Sequence, residues 1–238
     1  MLETKSLRKS FGKKIAVKDL SIKVERGEIV GLLGPNGAGK TTTFEMILGF
    51  LHPDRGKILL DGKDITFLPS WERARGGISY LPQEISIFAR LTVEQNLYII
   101  LESYYRDKEE MKKICEEYLR KLGLFELRKT IAGALSGGEK RRLEIARSLT
   151  LNPKFFLLDE PFSGIDPKTV SELQDIVVEL KKSNIGILLT DHNVRDALKI
   201  TDRAYLIYKG EVLLEGTPEE ILSHPESKRV YFGERFEI

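Results

Sequence analysis

The chain has 238 residues, a single cysteine and a formal net charge of +2, with 41% hydrophobic and 31% charged residues. A length of this order buries roughly 70–75% of the unfolded surface without disulfide or metal staples, and so small a net charge gives no ground for a nucleic-acid or membrane-surface role. The lone Cys115 excludes an internal disulfide and fits a reducing compartment, where it serves as packing or surface filler.

The longest apolar runs, near residues 29–34 and 97–101, are five or six residues, far short of the ~20 that span a bilayer. Residues 1–11 alternate apolar and polar positions and carry Lys5, Arg8 and Lys9, unlike a secretory leader. The expectation is a soluble protein that reaches a membrane only through partners.

In chain order, Ile22 and Val24 alternate with polar residues, Arg26-Gly27 turns, and Ile29–Leu33 is a buried-strand run. Lys40 to Phe50 reads as a helix opened by a glycine loop. Asp61-Gly62 is a two-residue hairpin turn between Ile58–Leu60 and Lys63–Ile65. Thr92 with Gln95 has capping-box spacing, and Met111, Ile114, Tyr118, Leu119 and Leu122 recur at helical spacing up to a C-terminal Gly123. Residues from about 83 to 147 therefore form a mostly helical insert. Beyond it, Phe155–Leu158 and Ile185–Thr190 read as buried strands around an amphipathic helix over Lys168–Lys182, and Tyr205–Tyr208 pairs with Val212–Leu214 across Lys209-Gly210. Strand and helix alternating in this way predict a parallel sheet with helices on both faces. The tail from His224 is polar, with Tyr231, Phe232 and Phe236 spaced along it.

Three motifs carry chemistry. Gly34-Pro35-Asn36-Gly37-Ala38-Gly39-Lys40-Thr41, followed by Thr42, is a phosphate-binding loop between a strand and a helix. Its glycines let backbone N–H groups converge on phosphates, the helix end adds a positive dipole, Lys40 reaches the β- and γ-phosphates, and Thr41 offers a hydroxyl to Mg²⁺. Asp159-Glu160 ends an apolar strand, where a carboxylate can hold Mg²⁺ and its neighbour can deprotonate water; alone, such a pair is as often a helix cap or solvated turn. Ser136 caps a helix that begins Gly137-Gly138-Glu139, a second anion-binding helix end, which by spacing alone is also just a capped helix.

Taken together, the phosphate loop, Gln83, Ser136-Gly-Gly-Glu139, Asp159-Glu160, Asp166 and His192 occur in the order and approximate spacing of ABC ATPases, and the resemblance covers essentially the whole chain. It implies one domain over 1–238 of P-loop NTPase (RecA-like) type: an α/β core with an antiparallel β subdomain at about 1–82 and 148–222, a helical subdomain at about 83–147, and a C-terminal tail at about 223–238. Phe11 resembles the aromatic that stacks on adenine. Gln83 resembles the residue that touches Mg²⁺ and the attacking water, with Glu160 as base and His192 as the γ-phosphate switch. Ser136, Gly138 and Glu139 would meet ATP held by a second copy, and Asp166 lies in a loop that crosses the dimer seam. Glu139 departs from the family's common Gln, a change expected to tune activity.

The resemblance implies ATP and Mg²⁺ as cofactors, a homodimer, two transmembrane permease subunits, no nucleic acid, and a cytoplasmic protein peripheral on the inner membrane. The segments LLGPNGAGKTTTF, YLPQEISIFARLTVEQNL, LLTDHNVRDAL and KRVYFGERF resemble most the ATPase subunits of bacterial lipopolysaccharide export. Alternatives are an ATPase of a branched-chain amino-acid importer and a non-transport ABC ATPase.

Overall fold

The computed structural model describes residues 1–232; the tail aromatic Phe236 lies outside them. An antiparallel patch opens the chain. β1 (Leu2–Phe11) pairs with β2 (Lys14–Leu20), β3 (Lys23–Val24) and β5 (Arg55–Leu60). β5 turns into β6 (Lys63–Asp64) through Asp61 and Gly62, whose φ values of 50° and 79° are the left-handed pair that a tight hairpin requires.

The second part of the sheet is parallel. β4 (Ile29–Leu33), β7 (Ile78–Leu81), β8 (Phe155–Asp159), β9 (Gly186–Thr190) and β10 (Arg203–Tyr208) lie side by side in the order β10-β4-β9-β8-β7. β11 (Glu211–Gly216) returns antiparallel to β10 and joins the parallel strands to β2.

Alternation along the parallel strands divides the core into two layers. Ile29, Leu33, Phe156, Leu158, Ile187, Leu189 and Leu206 face one layer, with the residues of α3 (Val93–Leu101), α4 (Lys108–Lys121), α5 (Gly137–Leu149) and α6 (Pro167–Lys182). Val30, Leu32, Phe155, Leu157, Leu188 and Ile207 face the other, with Phe44, Met46 and Ile47 of α1 (Lys40–Leu48). Cys115 is buried in the first layer, and burial pushes its thiol up to about 12. Among the described residues no helix is long and apolar enough to cross a membrane.

Most helix starts are closed by their own side chains. Thr92 and Gln95 form the expected capping box on α3, Asp107 caps α4, and Asp166 caps α6 ahead of Pro167. α1 is different: Gly39 precedes it with φ 110°, and it has neither a side-chain cap nor an acid in its first turn. Its opposite end stops two residues short of the expected Phe50. Gly49 adopts a left-handed φ of 80°, and the guanidinium of buried Arg73, in α2 (Ser70–Arg75), donates to the Met46 and Ile47 carbonyls at 2.6 and 2.8 Å.

Candidate active site

Loops leaving the carboxyl ends of β4, β9, β8 and β7 fall in a row, because those strands are neighbours in that order. The row brings together the phosphate loop after β4, Asp191 and His192 after β9, Glu160 after β8, and Gln83 after β7. Residues more than a hundred positions apart in sequence thus share one edge of the sheet.

A cavity of about 230 Å³ opens there, lined by Phe11, Lys14, Asn36, Gly37, Gly39, Lys40, Thr41, Thr42 and Glu160 among others. Phe11, half exposed, sits at its side. The loop backbone is tight at Gly34, where a Cβ would fall 2.3 Å from the Ile207 carbonyl oxygen. Lys40 is folded back over the loop, its Nζ donating to the Gly34 and Pro35 carbonyls at 2.6 and 3.2 Å. Burial lowers the Lys40 pKa, and Glu160, Asp159 and Asp191 act against that shift. Pro35 and Ala38 are joined by a backbone bond of 3.1 Å that closes the loop on itself.

Glu160 is the centre of the acidic row. Gln83 Nε2 donates to its Oε2 at 2.9 Å, and His192 Nδ1 lies 3.2 Å from the same oxygen. Its backbone is held at φ 46°, a left-handed conformation for a residue with a side chain, and its N–H donates to the Thr190 carbonyl at 3.0 Å. Strain of this kind persists where surrounding bonds over-determine it. Asp159 is buried; Thr190 Oγ1 donates to one of its oxygens at 2.6 Å and Tyr80 Oη to the other at 3.3 Å. Burial is also the main cause that raises the Asp191 pKa, although backbone N–H groups of Asn193 and Phe162 donate to its carboxylate.

The serine-led helix lies elsewhere. None of Ser136, Gly137, Gly138, Glu139 or Asp166 lines the cavity. Ser136 and Glu139 form a full capping box: the Ser136 N–H and hydroxyl both donate to Glu139 Oε2 at 2.8 Å. Those two bonds, backbone first, hold the Glu139 carboxyl below its ordinary pKa. Gly138 packs against Thr169, where a Cβ would meet Thr169 Cγ2 at 2.6 Å. Asp166 is occupied in capping α6, accepting from Thr169 N and Oγ1 at 3.1 and 2.6 Å.

Sequence reasoning missed three supports of this site. Thr190 lies in register with Asp159 across β8 and β9, and the only sequence signal was a polar residue ending a buried strand. Tyr80 carried no signal. The third support is a buried ion pair on α5, Arg141 with Glu144 at 3.0 Å. Arg141 donates to the Pro82 carbonyl at 2.6 Å, and Glu144 accepts from the N–H and hydroxyl of Ser86, so the pair grips the chain on both sides of Gln83. Two opposite charges three apart among the apolar positions Leu143 and Ile145 were the available sign.

The sequence pattern of the ABC transporter family matches residues 17–163. The chain is 49% identical over 238 residues to the lipopolysaccharide export system ATP-binding protein LptB of Acidithiobacillus ferridurans, covering 100% of this chain and 99% of that protein. It is 48% identical over 240 residues to the protein of the same name from Haemophilus influenzae, with the same coverage. Among solved structures, the ADP conformation of an ATP-binding cassette of an ABC transporter superposes with a TM-score of 0.88 at 32% identity, over 98% of this chain and 99% of that one. With the family pattern over residues 17–163 and full-length likeness to such a cassette, the chain belongs to the ABC transporter family, as one of its nucleotide-binding ATPases.

Proposed function

We propose that this chain powers lipopolysaccharide export, working as a pair of identical subunits on the cytoplasmic face of the inner membrane beneath two membrane-spanning partners. The observation that carries the cargo is full-length identity of 48–49% to relatives bearing that name. The row of Gln83, Glu160 and His192 beside the phosphate loop supports the chemistry.

ATP would lie in the cavity with its base against Phe11 and its phosphates on the N–H groups of residues 36–42, at the open start of α1. Lys40 leaves the Gly34 and Pro35 carbonyls to meet the β- and γ-phosphates. The donors present fit Mg²⁺, which takes hard oxygens from one or two carboxylates and from phosphates: the Thr41 hydroxyl, the Asp159 carboxylate steadied by Thr190 and Tyr80, and the Gln83 carbonyl. When bound, Mg²⁺ neutralises charge on the phosphates. Glu160 takes a proton from the attacking water, while Gln83 and His192 fix the carboxylate's orientation.

The serine-led helix lies off this cavity, which fits a site completed by a second copy. Ser136, Gly137, Gly138 and Glu139 of one copy would close over the γ-phosphate held by the other, and the loop ending in Asp166 would follow the seam between them. A dimeric post-hydrolysis cassette bound to ADP and Pi, with a TM-score of 0.80 and 25% identity, has the same overall fold. The helical segment at about 83–147 and the groove bordered by Phe50, Trp71, Tyr80, Ile100 and Arg147 would carry the motion to the membrane partners.

Two experiments test the reading. Ser136→Ala placed in one copy of a mixed dimer should disable hydrolysis at the opposite site; equal loss at both sites would refute the shared pocket. Purification from native membranes should bring down two membrane-spanning subunits that bear periplasmic β-domains. Recovery with a periplasmic amino-acid-binding system would refute the export assignment.

A further inference from the structure

Tyr80, in β7, belongs to two sites at once. Its ring forms part of the wall of a groove of about 310 Å³ that Phe50, Trp71, Ile100 and Arg147 also border. It meets the Phe50 ring edge-on, with 6.2 Å between centroids. Phe50 and Trp71 are themselves exposed, so this wall is open to a partner. At the other end of the ring, the Tyr80 hydroxyl donates to Asp159 Oδ2 at 3.3 Å.

Strand register produces this reach. Tyr80 stands opposite Leu157 across the parallel pair β7 and β8, and Asp159 lies two residues further along the same face. A phenol leaning along its strand spans that diagonal. On the other flank, Thr190 of β9 stands in register with Asp159 and donates to its Oδ1 at 2.6 Å. The carboxylate is thus set by one donor from each neighbouring strand. Thr190 is fully buried, whereas Tyr80 is partly exposed and borders the groove. A tyrosine kept for the groove alone would need the ring and not a hydroxyl aimed at a buried acid.

We propose that Tyr80 is a positioning residue that couples the groove to the metal ligand. Its hydroxyl orients the Asp159 carboxylate, and a segment of the membrane partner seated against its ring steadies that bond and so tightens Mg²⁺ binding at the nucleotide. Hydrogen bonds to a ligating carboxylate fix its orientation, and their loss weakens the metal site. The inference rests on Asp159 serving as the Mg²⁺ ligand and on the groove receiving the membrane partner.

The probe is Mn²⁺, which takes the same hard oxygen ligands as Mg²⁺, followed by electron paramagnetic resonance with a non-hydrolysable ATP analogue present. Tyr80→Phe keeps the ring in the groove and removes the donor. In the full chain alone its Mn²⁺ Kd should rise roughly tenfold, the low end for loss of a donor to a metal ligand. Affinity for the analogue in EDTA should stay at the wild-type value. In the complex purified from native membranes, wild type should bind Mn²⁺ about fivefold more tightly than the chain alone, the low end for coupled sites. Tyr80→Phe should erase that difference. An unchanged Mn²⁺ Kd overturns the proposal, as does an equal loss of metal-free analogue binding, which marks a damaged fold. A complex that binds Mn²⁺ no more tightly than the chain, or a difference that survives in Tyr80→Phe, overturns it too. Asp159→Asn separates the readings. If it retains Mn²⁺ affinity, the proposed metal site itself fails; if it loses affinity while Tyr80→Phe does not, only the role of Tyr80 falls.

Discussion

The side-chain amide of Gln83 donates to Glu160 Oε2 at 2.9 Å, across the gap between the ends of β7 and β8. The contact orients the carboxylate that serves as the base in the proposed mechanism. Glu160→Gln keeps the size and an acceptor oxygen for both neighbours. ATP turnover by this variant should fall about 10²–10⁴-fold, as for loss of a general base. Nucleotide binding should survive, and size-exclusion chromatography with ATP should show an accumulated dimer.

Among the described residues, the buried Arg73 guanidinium donates only to backbone carbonyls: Leu68, Met46, Ile47 and Thr66. Burial lowers its pKa to about 10, which leaves it charged at neutral pH against the negative end of α1. Arg73→Met fills similar space and takes the guanidinium donors from four carbonyls, of which Met46 keeps the Gly49 N–H. Chemical denaturation should report a loss of about 3 kcal/mol or more. The variant that does fold should bind ATP more weakly, because α1 carries the phosphate loop.

Asp191 gives a pH dependence with a definite sign. An acid whose folded pKa is raised binds its proton more tightly when folded, so its contribution is most favourable at low pH and declines as pH rises from 3.8 through the raised value. Asp191→Asn keeps an acceptor for the Asn193 N–H and removes the buried charge. Relative to wild type, its Tm should improve progressively as pH rises from 3.8 through the window in which folded Asp191 loses its proton. A difference that stays flat across that window would contradict the assignment.

Glu139 is the N3 residue of a capping box, a place where Gln serves as well as Glu. Glu139→Gln should therefore leave stability within about 0.5 kcal/mol and retain hydrolysis. Glu139→Ala removes the reciprocal bonds at Ser136 and should cost about 1 kcal/mol by thermal unfolding.

The sequence made the phosphate loop, the acidic pair and the capped helix starts legible, because each is a local pattern with a local cause. The continuous apolar runs of β4, β8 and β9 likewise marked them as buried strands in a sheet covered on both faces, as the two layers around them bear out. What it hid was lateral order. That Thr190 stands beside Asp159, or that Arg141 grips the peptide before Gln83, depends on which strands and helices become neighbours, and no spacing along the chain encodes that. Arg73 was invisible for the same reason: a charged residue in a short helix looks solvated until its carbonyl partners arrive from another element.

Among the described residues, α1 begins with neither a side-chain cap nor an acid in its first turn. An idle subunit therefore displays a small, fixed positive well in which any compact oxyanion can rest. Orthophosphate or sulfate at high concentration should compete with nucleotide for the same seat, so the ionic make-up of a buffer becomes part of any measured affinity.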